Sequence, residues 1–174
     1  MSLMCHRAFP HQASGCTTAA EGPRADSMDD RMIVGWREWV QLPQTGRGFI
    51  RAKMDTGART SALHAYDLRM EHADGADWAL FHLLGRKGEA EQRFRVKAVR
   101  SIRSSNGMVE ERPVVELDMT MGRHSWSVEV TLTDREQMAY RMLVGREALS
   151  GRILVDPSRS HILGRHLQGG WVHT

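Results

Sequence analysis

Lys53-Met54-Asp55-Thr56-Gly57-Ala58-Arg59-Thr60-Ser61-Ala62 is the most informative stretch of the chain. It continues an alternating segment, Phe49 to Met54, in which Ile50, Ala52 and Met54 share one face and Phe49, Arg51 and Lys53 the other. A period of two predicts a strand with one buried side. The strand stops at Asp-Thr-Gly-Ala, which puts a carboxylate at a strand-to-loop corner. Gly57 allows the backbone a close turn around it, and Thr56 and the small residues that follow offer hydroxyl or amide donors to the carboxylate. By itself Asp-Thr-Gly also makes an ordinary turn. A second element raises its meaning: Met142-Leu143-Val144-Gly145-Arg146, an apolar strand ending in Gly-Arg and followed by Glu147-Ala148-Leu149, with one helical turn expected over Arg146 to Ser150.

Outward from these two elements the chain reads mainly as strands. Ile33 to Leu42 is rich in Trp and Val and closes at Pro43. Trp78 to Leu84 leads into Gly85-Arg86-Lys87-Gly88, a hairpin signal, and Arg93 to Ile102 returns. Ser104-Ser105-Asn106-Gly107 marks another turn, because Asn-Gly accepts the positive φ of tight hairpins. Pro113 to Met121 follows. Ser125 to Leu132 alternates cleanly, with Trp126, Val128, Val130 and Leu132 inward and Ser125, Ser127, Glu129 and Thr131 outward. Helix is scarce, with two turns expected over Asp134 to Arg141. Short strands separated by Gly-rich turns predict a mainly β chain, a small barrel or sandwich.

The composition sets the outer bounds. The 174 residues are 41% hydrophobic and 26% charged, which excludes wholesale disorder and collagen-like repeats. No apolar run approaches the roughly 20 residues of a membrane-spanning helix, so no membrane partner is expected. Residues 1–32 mix Pro, Gly, Ser and scattered charge without apolar period and read as a disordered leader, with no apolar core for a secretory signal. Cytoplasmic location is the default. Both cysteines, Cys5 and Cys16, fall in that leader, so no disulfide or cysteine-zinc site is expected in the patterned region. Of the 24 basic residues 21 are Arg, the side chain suited to bidentate capture of carboxylates and phosphates.

The paired elements resemble retropepsins, in which Asp-Thr-Gly-Ala near the start is followed by an apolar-apolar-Gly-Arg segment that packs beneath the active-site loop. Trp36-Arg37-Glu38, the run from Asp55 to Ala65, Ser104 to Gly107 with Glu111-Arg112, and Leu132-Thr133-Asp134-Arg135 with Met138 and Arg141 to Arg146 narrow the resemblance. They are similar to a bacterial retropepsin-like family named for ATP-dependent zinc proteolysis and linked with ATP-grasp ligases that add glutamate to proteins. The similarity spans about Ile33 to Pro157, leaving residues 158–174 as a C-terminal tail. The sequence has no His-Glu-x-x-His and no Gly-rich Lys-Ser/Thr phosphate loop, so neither a metal nor any other cofactor is called for.

The resemblance implies a retropepsin-like acid-protease barrel and an aspartic endopeptidase. Such chemistry needs two carboxylates sharing a proton around a water, and this chain has one Asp-Thr-Gly. The second must come from another copy, which implies a homodimer with two Asp55 side chains on its axis. Thr56 would brace the loops, and Gly57 and Ala58 would let substrate backbone approach. Ala58, Arg59, Ser61, His64, Arg112 and Arg135 are the candidate substrate-binding residues, with Gly145 and Arg146 as structural support. A cationic pocket would favour a glutamate-rich peptide or protein tail; alternatively, the arginines pair with Glu111, Asp134 and Glu147 or are solvated. The covering hairpin is expected at Trp78 to Ile102, turning at Gly85 to Gly88, with Ser104 to Gly107 second. Rival readings are a metal-dependent hydrolase using His64, His72 and His82 or His161, His166 and His173, and a non-catalytic barrel that binds peptide or nucleic acid. Arg and Glu are interspersed rather than gathered into a basic stripe, which disfavours nucleic acid as a partner.

Overall fold

A computed structural model describes residues 31–86, 88–103, 107–167 and 170–172. Thirteen strands and one short helix occur among them: β1 (Met32–Gly35), β2 (Arg37–Gln41), β3 (Phe49–Asp55), β4 (Ser61–His64), β5 (Tyr66–Ala73), β6 (Ala76–His82), β7 (Gln92–Arg103), β8 (Val109–Met121), β9 (His124–Thr133), β10 (Met142–Gly145), α1 (Arg146–Leu149), β11 (Ile153–Asp156), β12 (Arg165–Leu167) and β13 (Gly170–Val172). Nine of these strands form one sheet in the order β2-β3-β10-β4-β9-β8-β7-β6-β5. It curls until β2 meets β8 through the single pair Gln41 and Thr120. The mainly β expectation holds, but the barrel is a strongly curled sheet rather than a closed one.

The core lies inside the curl. Ile50, Ala52 and Met54 of β3 are buried, as are Val128, Val130 and Leu132 of β9, so both alternations read from the sequence point the expected way. Thr131, expected outward, is also buried, because β4 pairs beside it and its hydroxyl donates to the Ser61 carbonyl at 3.1 Å. The strand expected over Ile33 to Leu42 is two strands broken at Trp36. β1 pairs with β11 and β2 with β3, so the chain changes partner at that residue. A Cβ on Gly35 would sit 2.5 Å from the Arg159 carbonyl oxygen, which is why glycine stands at the break.

The two-turn helix expected over Asp134 to Arg141 is absent. Its first turn forms, with Asp134 accepting the Glu136 N–H at 2.8 Å and Arg135 O accepting the Met138 N–H at 2.9 Å. The chain then opens so that Arg141 can reach His64. The Trp78–Ile102 hairpin does form, as β6 and β7. β5 escaped the sequence reading because it is the edge strand and mostly exposed on both sides, leaving no alternation to detect. Beyond Pro157 the chain returns to the sheet: the carboxylate of fully buried Glu38 accepts the N–H groups of Gly35 (2.7 Å), Ile162 (3.0 Å) and Leu163 (3.4 Å).

Candidate active site

Asp55 is the last residue of β3, and the loop after it ends where β4 begins at Ser61. Between these two strands runs β10, parallel to β3 and antiparallel to β4. Gly145 is in register with Asp55, so the apolar-Gly-Arg segment lies directly against the Asp-Thr-Gly-Ala loop.

The loop is tied at both levels. Within it, the N–H groups of Gly57 and Ala58 each donate to Asp55 Oδ1 at 3.1 Å. A Cβ on Gly57 would stand 3.3 Å from that oxygen, so glycine keeps the turn tight. Across to β10, Gly145 N–H donates to Ser61 Oγ (3.1 Å), Arg146 N–H to Ala58 O (2.9 Å) and Glu147 N–H to Arg59 O (3.1 Å). The Arg146 guanidinium donates through one Nη1 to Thr56 O and Gly57 O, both at 3.0 Å. Asp55 is half-buried, with Thr56 and Gly57 exposed beside it. A carboxylate so held can activate a water, provided a proton donor stands opposite.

These positions sort the sequence candidates. Asp55, Thr56, Gly57, Ala58 and Arg59 lie together on the loop, with Gly145 and Arg146 beneath it. Gly57, Ala58 and Arg59 also wall a cavity of about 620 Å³, whose other sides include Arg112 and Arg135. Ser61 and His64 are corrections. Ser61 is buried and spends its hydroxyl on Gly145 N–H, so it supports the loop instead of contacting substrate. His64 is fully buried under the 134–141 segment, its Nδ1 accepting the Arg135 N–H at 2.8 Å and its Nε2 lying 2.8 Å from Arg141 Nη1. Of the other histidines weighed as metal ligands, His72 pairs with Asp77 at 2.7 Å. Among the described residues no group of three His, Cys, Asp or Glu is placed to hold a metal ion, and no helix is long and apolar enough to cross a membrane.

The cavity is cationic but partly neutralised. Arg59 Nε pairs with Glu147 at 2.8 Å, both side chains well exposed. Arg112 sits on Glu110 at 2.7 Å, and Arg100 on Glu129 at 2.5 Å. Arg135 is half-buried and has no carboxylate ion pair among the described residues; its Nε donates to Tyr140 O at 3.2 Å. Burial holds its pKa below the usual arginine value, Arg112 acts in the same direction, and Asp55 opposes them. Arg135 therefore lies within electrostatic reach of Asp55.

Arg100 and Arg103 also line this cavity, on the arm of β7. The sequence reading missed both, although the basic spacing Arg93, Arg95, Lys97, Arg100, Arg103 was the available signal. Of the expected covering hairpin, the Arg100 to Ile102 end lines this cavity, together with Arg103 and Arg112 of the β7–β8 arms, and the turn at Gly85 to Gly88 does not. Residues 104–106 of the second candidate lie outside the described residues.

Comparison with known proteins fixes the relationship. The model of the RimB-like family, described as retropepsin-like aspartic endopeptidase RimB, matches residues 33–166. The chain belongs to that family. A probable alpha-L-glutamate ligase of Shewanella halifaxensis is 43% identical over 141 residues, covering 79% of this chain and 31% of that protein. One from Parasynechococcus marenigrum is 41% identical over 141 residues, with 79% and 30% covered. The chain thus spans about 31% of the length of the curated relatives it matches. A crystal structure of a Legionella pneumophila protein of unknown function superposes with a TM-score of 0.65 at 26% identity, covering 75% of this chain and 97% of that one. The match continues to residue 166, past the Pro157 limit read from the sequence, into the segment held by Glu38.

Proposed function

We propose that this protein is an aspartic-type endopeptidase that works as a homodimer on glutamate-rich protein tails. The observation that carries the proposal is the Asp55 loop, with Oδ1 fixed by two backbone N–H groups and the loop clamped from beneath by Gly145 and Arg146. Two such loops related by a two-fold axis bring two carboxylates together. Carboxyl groups about 3 Å apart do not both ionise, so one stays protonated. The ionised carboxylate takes a proton from the water as it attacks the scissile carbonyl. The protonated one donates to the carbonyl oxygen, and the leaving amine then takes up a proton. Thr56 braces the paired loops, and Gly57 and Ala58 admit the substrate backbone.

The acidic substrate is supported by Arg59, Arg112 and Arg135 around the cavity, since a planar guanidinium binds carboxylates bidentately. It is also supported by kinship. The relatives named glutamate ligases are about three times as long as the matched segment, and we assign their ligase chemistry to the remainder. A hydrolase of glutamate additions is the natural counter-reaction. A soluble protein of the cytoplasm fits this role.

Hydrolysis of a glutamate-tailed peptide, by wild type and Asp55→Asn, is the test. The amide keeps an acceptor for the Gly57 and Ala58 N–H groups but cannot act as base, so the fold persists and turnover disappears. Mixing wild type with excess Asp55→Asn distinguishes one carboxylate from two: mixed dimers are inactive if both are needed, so activity drops roughly as the square of the wild-type fraction. Undiminished turnover in Asp55→Asn overturns the proposal, and a linear decline on mixing overturns the shared site.

A further inference from the structure

A second cavity, of about 610 Å³, lies at the opposite end of β3. Its walls include Arg47, Arg51, Arg86 and Arg141, and between them Trp39 and Phe49. It lies on the same face of the sheet as the Asp55 cavity. The outward row Arg37, Lys53, Leu143, Ala62 and Thr131 crosses β2, β3, β10, β4 and β9 through paired positions, and Leu143, Ala62 and Thr131 line the first cavity. One step along β3, Arg51 pairs with Trp39 and enters the second. The 134–141 segment contributes to both cavities, giving Arg135 to one and Met138, Ala139 and Arg141 to the other.

The charge here is arranged for a carboxylate, and the chain itself shows how one sits. Glu89 packs against the rim, accepting the N–H groups of Leu84 (2.9 Å) and Arg86 (3.3 Å) and pairing with Arg47 Nε at 3.3 Å. Although partial burial acts to raise it, these donors and Arg47 hold the Glu89 pKa below its usual value. Arg51 and Arg86 have no carboxylate partner among the described residues, and both are exposed. On the outward face of β2 and β3, Arg37 and Lys53 stand directly opposite each other, with Arg37 donating to Tyr140 Oη at 3.3 Å and lying over the Trp36 ring. Arg141 is held by His64 and Arg47 by Glu89, which leaves Arg51 and Arg86 as the cations of the cavity without a carboxylate among the described residues. Four arginines around a half-buried aromatic floor suit side-chain carboxylates on an extended chain, whose methylene groups cover the rings.

We infer that this second cavity is an anchoring site for an acidic peptide, taking carboxylates of the same chain that is cut at Asp55. The inference rests on the peptidase reading for its substrate and on the cavity for its position. From Phe49 to Asp55 the strand rises roughly 20 Å, which about six residues of extended peptide cover. The consequence is a dependence on tail length: tails too short to reach both cavities use only one set of arginines, and longer tails use both.

Binding is measured to full-length protein carrying Asp55→Asn, so that no cleavage intervenes. The probes are fluorescent glutamate peptides of about four and about twelve residues. The longer peptide binds roughly tenfold or more tightly, as two added charge-assisted contacts allow. Charge reversal at Arg51→Glu and Arg86→Glu brings the ratio of the two affinities to near one, while thermal melts show the fold retained. Should the reversed protein fail to fold, Arg51→Gln and Arg86→Gln serve instead and give an intermediate ratio. A ratio near one in the parent, or one that survives the substitutions, overturns the inference. So does a single-stranded RNA oligonucleotide that binds the cavity more tightly than the long peptide. Cleavage of the short peptide by wild type is scored separately. Length-dependent binding without cleavage keeps the anchor and discards the peptidase, and cleavage without length dependence does the reverse.

Discussion

Gly145 can be replaced in a way that separates space from backbone conformation. Its φ of −82° and ψ of 172° are ordinary extended values, open to any residue. Glycine is therefore required by crowding alone. A Cβ there would lie 2.5 Å from the Thr60 carbonyl carbon, 2.7 Å from its oxygen and 2.8 Å from the Arg59 oxygen. All three are backbone atoms, so no flexible side chain can swing aside. Comfortable carbon contacts are about 3.5–4.0 Å, and the Asp55 loop must retreat from β10 by roughly 1 Å. Overpacking of this kind costs about 1–3 kcal/mol. The retreat also weakens the three N–H bonds that Gly145, Arg146 and Glu147 send to the loop, for a total of roughly 2–4 kcal/mol. A misplacement of about 1 Å in a catalytic group lowers turnover about a hundredfold. Gly145→Ala is compared by denaturant unfolding, and by kcat/KM on a glutamate-tailed peptide at a temperature where it remains folded. Gly48→Ala is the stability control, since nothing lies within 4 Å of its Cβ position. If Gly145→Ala unfolds like that control and retains full turnover, β10 does not set the loop and the geometric reasoning is wrong.

Two further substitutions probe buried polar groups. Burial and Arg141 hold the His64 pKa below 6.5, against the opposing charges of Asp134 and Glu136. The folded state thus binds fewer protons than the unfolded one, and stability present above pH 6.5 declines as pH falls below it. His64→Asn keeps an acceptor near the Arg135 N–H and flattens that decline; unfolding curves at pH 7.5 and about pH 5 check it, and an equally steep decline in the variant removes His64 as its source. Glu38→Ala strands three N–H groups and costs roughly 3 kcal/mol or more, whereas Glu38→Gln keeps Oε1 as acceptor for Gly35 and Ile162 and costs about 1 kcal/mol. Equal unfolding midpoints for the two variants would show that the clamp on residues 162–163 contributes little.

What the sequence revealed followed the physics of each element. β3 and β9 were legible because one of their faces is buried, and a period of two survives wherever that is true. The Asp55 loop was legible because its constraints are local: a carboxylate, a tight turn at Gly57, and a glycine where two backbones touch at Gly145. The Asp134 to Arg141 helix failed because local propensity gave way to a tertiary anchor, the His64 ring holding Arg135 and Arg141. Glu38 stood in the motif Trp36-Arg37-Glu38 with no role attached. Its partners Ile162 and Leu163 lie 124 and 125 residues away, a separation that no window of sequence can see. Ser61 and His64 were placed in the pocket by proximity to Asp55 along the chain. The two lie on opposite faces of the strand, yet both are buried, because every residue of β4 is covered by β9, β10 or the segment above it.

The fold also separates chemistry from recognition by energy scale. Asp55 is positioned by backbone contacts inside one chain, where threading β10 between β3 and β4 fixes both ends of the loop. Shifting any of these atoms meets overpacking or buried N–H groups, each costing kilocalories. The cations that would read the substrate stand mostly on other elements, Arg100 and Arg112 on the β7–β8 arms and Arg135 at the foot of a turn, and only the exposed side chain of Arg59 reaches out from the Asp55 loop itself. Their ion pairs to Glu147, Glu129 and Glu110 lie largely at the surface, where such a pair contributes only about 0–1 kcal/mol to folding. An incoming glutamate carboxylate can therefore displace those partners at little cost to the fold. The same arginines can be rearranged to suit other acidic chains while the Asp55 loop stays as it is.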